Sequence, residues 1–204
     1  MSLVYKILYQ VGFTPWEGSA DQARTREQIS AMFDREEEGR EPPYGPALDL
    51  GCGGGLWSIE LARRGWQVTG VDIVPKALRI ARERAQEAGV DVRFVQGDLA
   101  ALRAADVGSD FRLLLDFGAV HGLKEEQRAA VGREVSAVAA PDATVLMLAF
   151  PPGRRGPLPR GVTQAEIETA YPGWSVTEGD ALDAELPRIA TKDGQPHWYR
   201  LTRA

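Results

Sequence analysis

Between residues 47 and 150 the chain switches repeatedly between short apolar runs and longer stretches whose apolar positions recur at helical spacing. The short runs predict strands over 47–50, 67–71, 92–96, 111–116 and 143–150. The longer stretches predict helices over 56–64, 75–88 and 124–139, with a short helical piece near 99–104. Gly65 and Gly89 stop two of these helices, and Pro75 occupies a favoured first-turn position. Five strands alternating with helices specify a parallel sheet covered on both faces.

The flanks read differently. Ahead of the first strand, helices are predicted over 3–11 and 19–38, separated by a segment from Gly12 to Gly18 in which Pro15 and the glycines break continuity. Pro42, Pro43 and Pro46 then forbid helix and suggest an extended approach to the sheet. After the fifth strand come a loop over 151–161, a helix over 163–171 and strands over 174–177 and 197–202. The linker between those last strands is too short and polar for another crossover helix, which predicts an antiparallel closing pair. No internal repeat is visible.

Composition narrows the class. A chain of 204 residues with 44% apolar and 26% charged positions suits one folded domain and excludes a disordered chain. Lys and Arg number 24 against 29 Asp and Glu, a net charge of −5, and the basic residues are scattered. A nucleic-acid partner would need them clustered. The lone cysteine, Cys52, excludes an intrachain disulfide and a multi-cysteine zinc site, and suits a reducing compartment. Lys6 interrupts the first apolar stretch, no small-residue cleavage site follows it, and no segment reaches 18 consecutive apolar residues. The expectation is a soluble cytoplasmic protein without a membrane partner.

The strongest chemical signal is the stretch from Ala47 to Gly55, where a strand runs into Gly51, Gly53 and Gly55 and then a helix. Such a turn binds a ligand through its backbone, because glycine accepts positive φ and presents no Cβ. A dinucleotide fingerprint would need Gly or Ala at position 56, which is Leu, so NAD is disfavoured. Asp49, near the strand's end, favours a ligand carrying positive charge and would repel a diphosphate. Asp72 ends the second strand, where a carboxylate can accept from both hydroxyls of a ribose. Asp98, just beyond the third strand, can accept from an exocyclic amine such as that of adenine. Three acids thus meet one crevice, and S-adenosylmethionine, an amino acid bearing a sulfonium and joined to adenosine, satisfies all three.

In these motifs, from about 47 to 150, the sequence resembles the class I S-adenosylmethionine-dependent methyltransferases. The resemblance implies a Rossmann-like, doubly wound α/β fold of seven strands in the order 3-2-1-4-5-7-6, with strand seven antiparallel. It implies one domain over 1–204, with 1–44 as an N-terminal helical lid segment and 45–204 as the cofactor core and substrate loops. It places Asp49 and Gly51 near the methionine end, with Cys52, Gly53 and Gly55 in the same loop. Asp72 would bind the ribose, Ile73 would pack on the adenine, and Asp98 with Leu99 would read the adenine edge. Asp116 and the loop that follows it, as far as Gly122, would border the transferred methyl group. Outside this core, residues 13–18, with Trp16, resemble the turn that precedes the cofactor domain in thiol, halide and thiopurine methyltransferases. Glu17 stands where that group carries Asp, and residues 156–159 read Gly-Pro-Leu-Pro where Gly-Pro-Pro-Phe is usual.

Several residues carry two readings. Cys52 is a small side chain tolerated in a glycine loop, with no chemistry of its own assigned. Trp16 is either a core anchor or a lid over the methionine end. His121 is a base for the acceptor or a loop residue packed against the next helix, while His197 is structural. Arg154, Arg155 and Arg160 either steer an anion or belong to a solvated loop. The expected activity is methyl transfer from S-adenosylmethionine, by in-line displacement and without a metal, to a thiol, halide, thiopurine or related soft or heterocyclic nucleophile. An O- or N-methyltransferase of a phenolic or heterocyclic metabolite and a noncatalytic cofactor-binding regulator are the alternatives. A phenol or alcohol would need His121 as base; an acceptor already ionised would not.

Overall fold

A computed structural model describes Gly18 and residues 22–153, 160–186 and 188–203. Helix α1 (Ala23–Glu37) precedes strand β1 (Gly45–Leu50), which is buried from Ala47 onward and feeds the glycine turn; α2 (Leu56–Arg64), closed by Gly65, then β2 (Trp66–Asp72), α3 (Pro75–Ala88) and β3 (Val92–Gln96) come next.

 They are followed by a 3-10 turn at Leu99–Ala101, β4 (Phe111–Phe117), α4 (Glu125–Val138), β5 (Ala139–Ala149), α5 (Gln164–Ala170), β6 (Trp174–Ala181), α6 (Arg188–Thr191) and β7 (His197–Arg203). The seven strands form one sheet in the order β3-β2-β1-β4-β5-β7-β6. Strands β1 to β5 run parallel, and β7 lies antiparallel between β5 and β6. Parallel strands buried on both faces must be apolar throughout, which is why the runs in the sequence mark them.

Helices cover both faces. On one, Leu114, Val131, Val145, Tyr171 and Leu201 belong to the core beneath α4 and α5. On the other, Ile29 and Phe33 of α1 pack with Trp57, Leu113, Leu115 and Trp198. Ile29 and Phe33 are fully buried. Within the segment read as a lid, Ala23–Glu37 is therefore part of the sheet's covering layer, while the helix expected over 3–11 and Trp16 lie outside the described residues. The glutamines of this region bind the chain after β6 in both directions. Gln22 donates to the Glu185 carbonyl and accepts from its N–H (3.1 and 2.7 Å), and Gln28 donates to the Ala181 carbonyl and accepts from the Asp183 N–H (2.8 and 2.9 Å).

Three boundaries differ from expectation. Strand β5 starts at Ala139, where it pairs with Phe111 before a register shift brings Leu113 opposite Thr144, so the expected break is an irregularity inside one strand. Strand β6 extends to Ala181 through a second shift between Glu178 and Ala181. The linker expected to lack helix contains the single turn α6, which makes no crossover because β6 and β7 are antiparallel. No helix among the described residues is long and apolar enough to cross a membrane.

Candidate active site

The glycine turn is fixed by its neighbours' backbone. The N–H groups of Gly51 and Cys52 donate to the Val71 carbonyl (2.8 and 3.0 Å), and that of Gly55 donates to the Cys52 carbonyl (2.9 Å). Gly51, Gly53 and Gly55 have φ of 73°, 52° and 79°, the left-handed region that glycine tolerates best. A Cβ on Gly51 would lie 2.6 Å from the Cβ of Ala119, so the loop after β4 can approach the turn only because residue 51 has no side chain. The turn and the β4 loop together form the carboxyl edge of the sheet, where ligands bind in open α/β folds.

Asp49, Asp72 and Asp116 stand along this edge. Asp49 is buried and accepts from the Ser58 hydroxyl of α2 at 2.6 Å. Burial pushes its carboxyl up to about 7 against the lowering effect of that hydrogen bond, with Asp72 adding to the rise. Asp72 accepts from the Gly53 N–H at 3.0 Å and the Val74 N–H at 2.8 Å, joining the turn to the start of α3. Burial raises its pKa against these two bonds. None of the three has an Arg or Lys ion-pair partner among the described residues. Carboxyls buried without a counter-charge resist ionisation, and a cationic ligand would relieve them.

Asp116 is the most deeply buried of the three acids. Its side chain is fully buried and accepts from the N–H groups of Ala119 (2.6 Å) and Val120 (3.2 Å). Burial pushes it to about 7 despite these bonds. Its place is beneath the β4 loop, which it holds in shape. Asp49 likewise turns its carboxylate to Ser58, a partner nine residues on that the sequence reading did not name.

Asp98 is exposed beyond β3 and caps the 3-10 turn by accepting from the Ala100 N–H at 2.9 Å, with Leu99 buried behind it. Ile73 is half-buried, next to Asp72. Cys52 is buried, and burial raises its thiol well above the usual range. His121 is buried in the β4 loop with its ring 5.2 Å from that of Phe150. His197, the first residue of β7, lies 3.0 Å from the Glu178 carboxylate of β6. Arg160 and Arg128 both pair with Glu166, so Arg160 ties its loop to α5. Arg154, Arg155 and residues 156–159 lie outside the described residues. Among the described residues no group of three or more His, Cys, Asp and Glu is arranged to hold a metal ion.

One further residue of this edge, Trp57, is not singled out by the sequence, and it meets Phe117 at the start of the segment expected to border the methyl group. Trp57 sits in the first turn of α2, with its ring 5.7 Å from that of Phe117, the last residue of β4. Its signal is an aromatic two residues after the last glycine of the turn.

Comparison with known proteins bears on this geometry. Residues 47–142 match the family model of a methyltransferase domain. The chain is 31% identical over 142 residues to 2-heptyl-1-hydroxyquinolin-4(1H)-one methyltransferase of Mycobacteroides abscessus, which covers 66% of this chain and 61% of that protein. It is 42% identical over 69 residues to the ubiquinone biosynthesis O-methyltransferase of Xanthomonas axonopodis pv. citri, covering 34% of this chain and 29% of that one. The chain thus spans less than two thirds of the length of these relatives. The fold is shared with magnesium protoporphyrin IX methyltransferase of Synechocystis PCC 6803, solved with bound S-adenosylmethionine (TM-score 0.74, 20% identity, 99% of this chain and 96% of that one). It is also shared with 1,6-didemethyltoxoflavin-N1-methyltransferase of Burkholderia thailandensis (TM-score 0.71, 23% identity, 98% and 85%).

Proposed function

We propose that this chain is an enzyme that transfers a methyl group from S-adenosylmethionine to a small-molecule acceptor. The observation that carries this reading is the run of acids at successive strand ends around a glycine turn: Asp49 on β1, Asp72 on β2 and Asp98 after β3. In this reading Asp72 accepts from ribose hydroxyls and Asp98 from the adenine amine, with Ile73 and Leu99 beside the ring. Gly51, Gly53 and Gly55 let the methionine end approach the backbone. Asp49 adds negative potential beneath it, and Asp116 holds the β4 loop against the turn. The match over 47–142 to a methyltransferase domain supports the same reading.

When bound, the cofactor supplies an electrophilic methyl carbon on a sulfonium. The chain's own work is to align the acceptor with that carbon and to exclude water, and orientation alone contributes about 7 to 11 kcal/mol to such reactions. The acceptor we favour is an oxygen or nitrogen atom on a planar ring. The similar proteins are named for methylating a hydroxyquinolinone and for O-methylation in ubiquinone biosynthesis. A hydroxyl acceptor gives His121, in the β4 loop, a proton to remove. The single cysteine and the net charge of −5 support work in a reducing compartment on a small molecule.

The test is turnover of methyl-labelled S-adenosylmethionine with a panel of phenols, hydroxyquinolines, N-heterocycles, thiols and halides. S-adenosylhomocysteine should form fastest with hydroxylated planar rings. Faster transfer to thiols would restore the soft-acceptor reading, and cofactor binding with no transfer to any acceptor would favour a noncatalytic regulator.

A further inference from the structure

Four tryptophans fall among the described residues, and three of their indole N–H groups are bonded. Trp66 donates to Glu37 at 2.9 Å, Trp174 to Ser136 at 2.8 Å and Trp198 to Gln28 at 3.3 Å. The exception is Trp57, whose Nε1 is buried and has no hydrogen-bond partner among the described residues. A buried donor left unbonded has lost its hydration without compensation, and in native structures such groups are few and often functional.

Its position is informative. Trp57 follows the glycine turn by two residues and packs on Phe117 with ring centroids 5.7 Å apart and planes at 39°. Phe117 in turn meets Trp198 at 5.7 Å and 61°. Phe117 ends β4, and Trp198 pairs with Leu148 near the carboxyl end of β5. The three rings therefore run along the carboxyl edge of the sheet on the side covered by α1 and α2, from the glycine turn to β7. Trp57 and Trp198 are buried, whereas Phe117, between them, is half-buried. Phe33 and the Arg26 guanidinium also pack on the Trp57 ring, 6.3 and 6.0 Å away, so the half-buried Phe117 is the ring of the row that offers a flat apolar ligand offset or edge contacts, and the unmet N–H beside it favours an oxygen acceptor on that ligand.

We propose that Trp57, Phe117 and Trp198 form the acceptor subsite, and that the Trp57 indole N–H donates to a carbonyl or hydroxyl oxygen carried by a planar aromatic acceptor. This rests on the methyl-transfer reading and sharpens it: Trp57 sets specificity by rewarding an oxygen on the ring.

The experiment uses the full chain saturated with S-adenosylhomocysteine and a matched pair of probes, quinolin-4-one and quinoline, by calorimetry. Wild type should bind quinolin-4-one at least about tenfold more tightly than quinoline, because a site built to bond an oxygen rejects the analogue lacking it. Trp57→Phe, which keeps the ring and removes the donor, should bring the two within about threefold while S-adenosylhomocysteine affinity stays within about twofold. In spectra of 15N-indole-labelled wild type, one tryptophan N–H signal should move downfield with quinolin-4-one and not with quinoline. Equal binding of the pair by wild type overturns the proposal, and that comparison stands even if Trp57→Phe does not fold. A variant that keeps the preference, or loses S-adenosylhomocysteine affinity instead, also overturns it, the latter by assigning the donor to the cofactor's carboxylate. Failure of wild type to bind S-adenosylhomocysteine at all would count against methyl transfer itself.

Discussion

Acids at the perimeter of this molecule and acids at the carboxyl edge of its sheet live under opposite conditions. At the perimeter, Arg64 pairs with Asp34 and Glu37, Arg200 with Glu36, Arg103 with Glu134 and Arg112 with Asp142. The guanidinium hydrogen bonds hold Glu134 and Asp142 below their usual carboxyl range. At the carboxyl edge, burial drives Asp49, Asp72 and Asp116 the other way, with hydroxyl and backbone donors in place of arginines. Paired acids tie α1, α4 and the strands together. The unpaired ones keep negative potential in reserve beside a turn that has no side chains, which is what a cationic ligand needs.

Three substitutions sharpen that contrast. The largest effect on stability is expected at the perimeter, from Arg200→Ala. Its guanidinium bonds both oxygens of the buried Glu36 (2.7 and 3.0 Å) and the Thr144 hydroxyl (3.2 Å). Removing it leaves a buried charge unpaired, at about 3 kcal/mol. Denaturant unfolding should record that loss, with cofactor affinity of the folded protein unchanged; a weakened affinity would merge the two regions. Asp72→Ala should act at the other region, lowering S-adenosylmethionine affinity at least about tenfold, or about 1.4 kcal/mol, by removing the acceptor for two hydroxyls. An unchanged dissociation constant would remove Asp72 from the site. The smallest effect belongs to Arg112→Ala, whose pair with Asp142 is well exposed on both sides. Thermal unfolding should show less than about 1 kcal/mol and no effect on binding.

How much of this was legible in the sequence follows from what each feature depends on. Strands buried on both faces have to be largely apolar runs, so β1, β2 and β4 could be read closely, while β3, an edge strand with Arg93 and Gln96 exposed, was marked by Val92, Phe94 and Val95; acids ending those runs had to lie at the carboxyl edge. The start of β5 could not, because Pro141 and Asp142 look like a turn and only pairing with β4 makes them part of a strand. Gln22 and Gln28 are generic polar residues until the chain after β6 folds back onto them. Asp116 was visible as an acid in the right place, yet its partners are N–H groups three and four residues on, presented only once the loop has its shape. Ser58 and Trp57 depend in the same way on which face of α2 meets the sheet.

The central claim, that buried carboxyls make this edge a site for a positively charged nucleoside ligand, is tested most directly by calorimetric affinities for S-adenosylmethionine and S-adenosylhomocysteine at pH 6 and pH 8. The two ligands differ by the methyl group and the sulfonium charge, and the amino and carboxylate groups they share cancel in the ratio. Asp49 and Asp116 are raised to about 7, so both hold protons more firmly in the folded protein than in the unfolded chain. Below that value the edge loses negative charge, and above it the edge gains charge. The preference for S-adenosylmethionine over S-adenosylhomocysteine should therefore grow at least about threefold from pH 6 to pH 8. A ratio that does not change with pH, or one that falls, would contradict the account.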